Sequence, residues 1–435
     1  MDLMSSPQRP TRARYWVVFF AVTLAILAYI DRVAISQAAP AISHDLGFDK
    51  AQMGAIFSAF ALSYAIFEIP GGWMGDWMGP RRVLMRIVLW WSFFTAATGY
   101  MWNFTSMWIT RFLFGAGEAG CFPNLTKAFT TWLPSYERVR AQGIMWSFAR
   151  WGGAFTPPLF AWLFSLMSWR KVFLVFGFIG LIWAWFFYRW YRDNPKDHPS
   201  VNEAELALLA GAEETASGHG DVPWGKLITR PTVWLLWAQY FLITYPWYFY
   251  ITWLPTWLQE DRGLSMEKSA SYAILPLLFG GFGSILSGFL AKYLAQLFGS
   301  IDRARRVVGT IGFAGAMGFM FAVTQFRDPL YGALLMGLAS FCNDLVMPGA
   351  WGACMDIGGK YAGTLSGSMN MMGNFAGILA PTIGGLILKY ANNDWNLFLY
   401  TMAGAYGLGI LCWPFINSTR SLEDDGEPHR SAHPA

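Results

Sequence analysis

Twelve apolar runs follow one another along the chain, at about 16–39, 51–75, 82–102, 105–130, 139–165 and 169–191, then 231–258, 268–296, 305–325, 328–352, 359–390 and 395–416. A membrane span takes about 20 apolar residues, and runs of this length are too long for barrel strands. In hydrocarbon every backbone polar group must find its partner within the segment, so each run reads as a helix. Composition agrees: 55% of the 435 residues are hydrophobic and only 13% charged, about half the charged share of soluble domains. So few charges cannot cover a water-soluble surface, which excludes a soluble multidomain enzyme, a nucleic-acid binder and a disordered scaffold. The sequence predicts an all-α membrane protein of twelve transmembrane helices.

The runs fall into two sets of six. Residues 1–15 form an N-terminal tail, 16–191 a first half, 192–230 a polar linker, 231–416 a second half and 417–435 a C-terminal tail. The linker carries Pro195, Pro199 and Pro223, and Ser200 with Glu203 has capping-box spacing, which predicts a short helix there. Two six-span halves match the parallel-repeat plan of many secondary transporters. The apolar run after Arg14 carries Asp31 and Arg32 and is followed by further spans, so it reads as the first span rather than a signal peptide. Outside the spans, 21 Lys and Arg lie on the side of the termini and linker against 7 on the other. The positive-inside rule then places both termini in the cytoplasm of a multi-pass plasma (inner) membrane protein.

Four cysteines sit in apolar runs and five histidines in polar connections or the tail, so neither a disulfide framework nor a histidine metal site is expected. There is no H-E-x-x-H and no G-x-x-x-x-G-K-[ST] motif, which argues against a zinc enzyme and an ATP-driven pump. No cofactor, metal or catalytic residue is expected.

Three arginines lie inside predicted spans, Arg32, Arg111 and Arg150, with Asp31, Glu68, Glu118, Asp344 and Asp356 in or near spans. A charge at a span centre costs about 2.5–3.5 kcal/mol even on the lenient insertion scale, so it should face a wet cavity or a partner. For Glu68, Asp344 and Asp356 a structural pairing is the preferred reading; Arg150 stays open between pairing and substrate. Arg111 and Glu118, seven apart, share a helix face. Asp31 and Arg32 point about 100° apart, so one can face a cavity while the other reaches another helix. Guanidiniums that stay charged anchor carboxylates in bidentate fashion, and carboxylates in poorly solvated sites tend toward titration near neutral pH. Fixed cations beside titratable acids describe a proton-coupled carrier of organic anions. The seventh run is rich in aromatics, with Pro246 and Pro255 as kink points and Tyr248, Tyr250 and Trp253 as amphipathic rings. The eleventh carries Ser366, Asn370, Gly373, Asn374 and Gly377 at helical spacing. Such neutral groups suit either a hydroxylated ligand or ordinary helix contacts.

At Gly72-x-x-Gly75-Asp76-x-x-Gly79-x-Arg81-Arg82 the chain resembles the major facilitator superfamily, with Trp77 and Pro80 where basic residues are usual. The runs Y-I-D-R (29–32), R-F-L-F-G-A-G-E-A (111–119), D-N-P-K-D-H-P (193–199), T-W-L-P-T-W-L (252–258) and S-G-S-M-N-M-M-G-N (366–374) resemble its anion:cation symporter family, nearest to bacterial sugar-acid carriers. The resemblance implies substrate-carboxylate roles for Arg32 and Arg111 and proton-coupling roles for Asp31 and Glu118. It implies cavity positions for Tyr29, Tyr64, Gln239, Trp351, Asn370 and Asn374, and a conformational role for Gly72, Asp76, Gly79, Arg81 and Arg82. Arg150, a third arginine, would suit a dicarboxylate such as an aldarate. The expected partners are a small organic anion, H⁺ and the lipid bilayer, with no nucleic acid, and a monomer is expected to suffice. The competing readings are a proton-coupled exporter of lipophilic or cationic compounds, which favours acidic cavities, and a carrier of another dicarboxylate or aromatic acid.

Overall fold

A computed structural model describes residues 9–48, 50–209 and 222–422. The first six runs become α1 (Arg14–Leu46), α2 (Lys50–Met78), α3 (Pro80–Thr98), α4 (Phe104–Glu118) with α5 (Cys121–Trp132), α6 (Ser135–Leu166) and α7 (Trp169–Trp190). The linker contributes α8 (Glu203–Leu208) and α9 (Trp224–Thr229). The second half is α10 (Pro231–Thr252) with the short α11 (Leu254–Glu260), then α12 (Met266–Phe298), α13 (Ile301–Val323), α14 (Pro329–Gly358), α15 (Ala362–Tyr390) and α16 (Trp395–Cys412). Twelve spans in two sets of six result.

Judged by length and apolar content alone, seven stretches qualify as spans, one of them covering both α14 and α15. Of the remaining spans, α4 and α5 are each too short because the span is broken between them, and α3, α6 and α10 carry arginines, acids, or a dense set of Trp and Tyr. Local chemistry sets the helix ends. Asn103, Ser265, Ser300, Asp328 and Asp394 each cap a helix N-terminus with a side-chain oxygen, satisfying amides that the helix itself leaves unpaired.

The fourth span differs from its sequence reading. The run 105–130 is broken between α4 and α5, where Ala119 is extended (ψ 138°) and Gly120 adopts φ 83°. A Cβ at Gly120 would also stand 2.6 Å from the Gly71 backbone of α2. Only glycine meets both demands. The break leaves Glu118 as the last residue of α4, at the centre of the bundle.

The halves meet chiefly through α6 against α12 and α2 against α15. Among the described residues, the polar contacts joining them gather at the bundle centre and the linker side. Toward the linker Arg138 pairs with Asp356 at 2.7 Å, Lys127 donates to the Lys360 carbonyl, and Asp76 accepts from Gly363 and Thr364. Nearer the centre Ser147 donates to the Gly281 carbonyl. This is a bundle shut on the linker side.

The linker helix is capped by Asn202, whose Oδ1 accepts from the Glu205 amide, so the cap is not the predicted Ser200. Ser200 instead donates its amide to His198 Nδ1. Glu205 is fully buried against the first half, accepting from Thr11, the Ala13 and Arg14 amides and the Arg14 guanidinium. Arg14 also pairs with Glu137. This part of the linker therefore moves with the first half.

Candidate substrate site

A cavity lies between the halves, with about 540 Å³ of space free of protein atoms once the solvent at its mouth is included. The first half contributes Tyr29, Arg32, Tyr64, Phe122, Trp146 and Arg150. The second half contributes Tyr240, Thr244, Trp247, Tyr248, Asn343, Asn370 and Asn374, none of them charged. The wall is thus positive on one side and neutral, hydroxyl- and amide-bearing on the other.

Arg32 projects from α1 into this space. Its Nε donates to Glu118 Oε1 at 2.7 Å, and its guanidinium carbon lies 4.6 Å from the Tyr64 ring centroid, with Tyr29, Phe60 and Phe122 at 5.4–5.6 Å. The aromatic faces hold the guanidinium plane in place. Three buried polar atoms around it have no protein partner: Arg32 Nη2, Glu118 Oε2 and the Tyr64 hydroxyl. Buried polar groups are nearly always satisfied, so this cluster marks where a bound group would complete the arrangement.

Arg150 also lines the cavity, but its fork is engaged. Nε and Nη2 meet Asp344 at 2.9 and 3.2 Å, Nη1 reaches the Tyr29 hydroxyl at 3.3 Å, and the guanidinium lies over Trp247. Asp344 is fully buried and accepts in turn from Asn343, which accepts from Tyr406. This pair joins α6 to α14 across the two halves. Removing one partner of a buried pair strands the other, at about 3–5 kcal/mol. Asp344→Ala is therefore expected to lower the unfolding temperature markedly in detergent, and Arg150→Met with Asp344→Leu to recover much of it. A double variant no more stable than Asp344→Ala would show that the pair is not what holds this region.

Other candidates stand elsewhere. Arg111 is 2% exposed and is not on the wall. The Phe60 ring is shared by the two arginines, 5.4 Å from the Arg111 guanidinium carbon and 5.5 Å from that of Arg32. Arg111 thus sits a layer behind the cavity, with Glu118 and Asp31 as its nearest acids. Asp31, 5% exposed, turns away from the cavity that Arg32 faces. Gln239 and Trp351 are fully buried off the wall, correcting the cavity positions given to them: Gln239 donates to the Leu236 carbonyl and Trp351 to the Tyr240 hydroxyl. They support the lining from behind. Asn370 and Asn374 do face the cavity, bonded to Tyr240 and Tyr248. Tyr250, singled out among the aromatic rings, is buried in the second half. Thr244, Trp247, Tyr240 and Asn343 were missed; helical spacing from Tyr248 along the same helix points to Thr244 and Tyr240.

The loop motif serves two distinct ends. Asp76 accepts from the Gly363 and Thr364 amides at 3.0 and 2.6 Å and from the Thr364 hydroxyl at 2.6 Å, with Lys127 at 3.6 Å. Gly72 lets α2 meet α15: a Cβ there would stand 2.3 Å from the Gly363 carbonyl oxygen. Gly79, at φ 84°, packs on the Asp193 carboxylate. Arg81 binds within its own half, its amide donating to Asp193 and its guanidinium to the Tyr188 carbonyl. Arg82 is exposed.

This fold and central cavity can be set beside known proteins. The profile of the Major Facilitator Superfamily matches residues 21–381. The chain is 35% identical over 424 residues to the "Probable sulfoacetate transporter SauU" of Cupriavidus necator, covering 96% of each chain. It is 31% identical over 416 residues to the "Probable galactarate/D-glucarate transporter GudP" of Bacillus subtilis, covering 91% of this chain and 90% of the other. Among solved structures, the proton:xylose symporter XylE bound to 6-bromo-6-deoxy-D-glucose superposes with a TM-score of 0.72 at 14% identity, covering 94% of this chain and 96% of that one. The chain belongs to the major facilitator superfamily, and is a multi-pass membrane transporter rather than an enzyme.

Proposed function

We propose that the protein is a secondary transporter that takes up a small organic anion, a sugar acid, together with protons by alternating access. The observation that carries this reading is Arg32: a guanidinium in the central cavity, paired through one nitrogen with Glu118 and holding another, Nη2, without a partner. The anion's carboxylate takes that open side of the fork. A proton on Glu118 then frees the guanidinium entirely, so Arg32 and the bound anion form a neutral pair. Arg111, off the cavity wall, and Asp31 beside it set the field without touching the cargo. Tyr240, Thr244, Tyr248, Asn370 and Asn374 offer hydroxyls and amides to a polyol body, which favours a sugar acid over an aromatic one. The relatives whose names give sulfoacetate and galactarate or D-glucarate as cargo support an anion. An exporter of lipophilic cations fits poorly, because both cavity-facing charges of the first half are arginines.

In this reading the linker and both termini lie in the cytoplasm, the membrane is the inner one, and a single chain suffices. The shut linker side makes the described conformation the one that receives cargo from outside. The 35% identity to a protein named for sulfoacetate favours a second cargo, a compact sulfonated carboxylate. The test is uptake into proteoliposomes of radiolabelled D-galactonate, D-glucuronate, D-glucarate and sulfoacetate, with and without an inward proton gradient. Accumulation of a sugar acid that rises with the gradient is expected. Uptake of none of the four removes the cargo assignment, and uptake indifferent to the gradient removes proton coupling.

A further inference from the structure

The spans hold four carboxylates around the cavity, Asp31, Glu68, Glu118 and Asp344, against three guanidiniums, Arg32, Arg111 and Arg150. Arg32 is paired with Glu118 and Arg150 with Asp344. Arg111 has Asp31 and Glu118 as its neighbouring acids. Glu68 is left over. It is fully buried on α2, and among the described residues no Lys, Arg or His comes within 4 Å of it. Its donors are neutral: the Asn370 side-chain amide at 2.7 Å and the Gly120 backbone amide at 3.4 Å.

Two features make this more than a buried structural acid. Asn370 belongs to the second half and lines the cavity, so the Glu68 bond spans the two halves. Gly120 lies in the break between α4 and α5, two residues after Glu118. Glu68 therefore touches the cavity wall on one side and the segment carrying Glu118 on the other. The titratable groups facing it are Arg32 from α1, Tyr64 from its own helix, Glu118 and Cys121 around the break, and Tyr240 and Tyr248 from α10. From α15 it meets Asn370 and, against its backbone, Gly367.

We infer that Glu68 is a further proton carrier, loaded while the linker side is shut and discharged when α2 and α15 part. This rests on the proton-coupled reading above and adds a residue to it. A buried carboxylate without a cation is tolerated in its neutral form. Protonated Glu68 still accepts from Asn370 through Oε1. When the linker side opens, Asn370 withdraws with the second half, water reaches the carboxyl group, and the proton passes to that water. The cargo anion adds one more negative charge to a set of spans that already holds one acid too many, which is why Glu118 alone does not balance the loaded state.

The experiment compares wild type and Glu68→Gln in proteoliposomes, using whichever of D-galactonate, D-glucuronate, D-glucarate or sulfoacetate the wild type accumulates. Two quantities are read: counterflow at equal pH, which needs no net proton movement, and the plateau gradient held by one pH unit with the membrane potential clamped at zero. Each coupled proton is worth tenfold in that plateau per pH unit. Glu68→Gln is expected to keep counterflow within a few-fold and to lower the plateau about tenfold. An unchanged plateau beside a proton-coupled wild type overturns the role of Glu68 and leaves the proposed function standing. If the variant loses counterflow, Glu68→Asp decides: restored counterflow with the wild-type plateau supports the carrier role, and loss in both makes Glu68 structural. A wild type indifferent to the gradient overturns the proton-coupled reading and this inference with it.

Discussion

Arg32→Ala is expected to abolish transport and to weaken anion binding at least a hundredfold. Two losses are combined in that variant, and they can be separated. The first is structural: Glu118 is fully buried and its 2.7 Å contact with Arg32 is its only ion pair among the described residues, so removing the cation strands a carboxylate, at about 3–5 kcal/mol. The second is functional: charge-assisted, bidentate recognition of the cargo carboxylate loses its fork. Adding Glu118→Gln removes the stranded charge. Arg32→Ala with Glu118→Gln should therefore recover much of the thermal stability lost in the single variant while anion binding stays absent. Ligand-induced thermal stabilisation reads both in one experiment, because a bound anion raises the melting temperature and an unbound one does not. A double variant that regains anion binding would make Arg32 a structural partner of Glu118 and move the cargo site elsewhere.

The sequence made the spans legible because hydrocarbon allows only one solution to a run of this length, and the helix ends fall close to the polar residues that cap them. It also made Arg32 legible, since an arginine in a span must reach water, a ligand or an acid. What it hid were relations that depend on packing between helices. The pair Arg150 and Asp344 is 194 residues apart in sequence, and no spacing rule connects two residues on different halves. The face shared by Arg111 and Glu118 was legible, but the Phe60 ring packed on Arg111 comes from α2, whose rotation the sequence of α4 does not contain. Gln239 and Trp351 sit on helices that line the cavity, yet project behind it. The break at Gly120 depends on how closely α2 passes, and a glycine within an apolar run reads equally well as helix. Glu68 looked like a structural acid because its neutral partner, Asn370, is 302 residues away.

The linker-side closure gives the other large expected effect. Gly363 and Thr364 lie in the first turn of α15, where backbone amides lack intrahelical acceptors. Asp76 supplies the missing acceptor from the opposite half, and its charge faces the positive end of the helix. That interaction exists only while the linker side is shut. Asp76→Asn keeps the shape and removes the charge, at a cost of up to about 2 kcal/mol for a partly buried helix terminus, which is roughly thirtyfold in the ratio of shut to open states. Gly72→Ala attacks the same closure through sterics, since its Cβ would meet the Gly363 carbonyl oxygen, a backbone atom that cannot swing aside. One change removes an attraction and the other adds a repulsion, so both should open the linker side. A cysteine placed at the fully buried Ser366, in a chain whose four native cysteines are replaced, reports this directly. Maleimide labelling from the linker side should be slow in the parent and many-fold faster in both variants. Apparent affinity for cargo presented from the far side should fall as the receptive state is depopulated. Slow labelling in both variants would mean that the contacts of Asp76 and Gly72 with α15 are not what keeps the bundle shut.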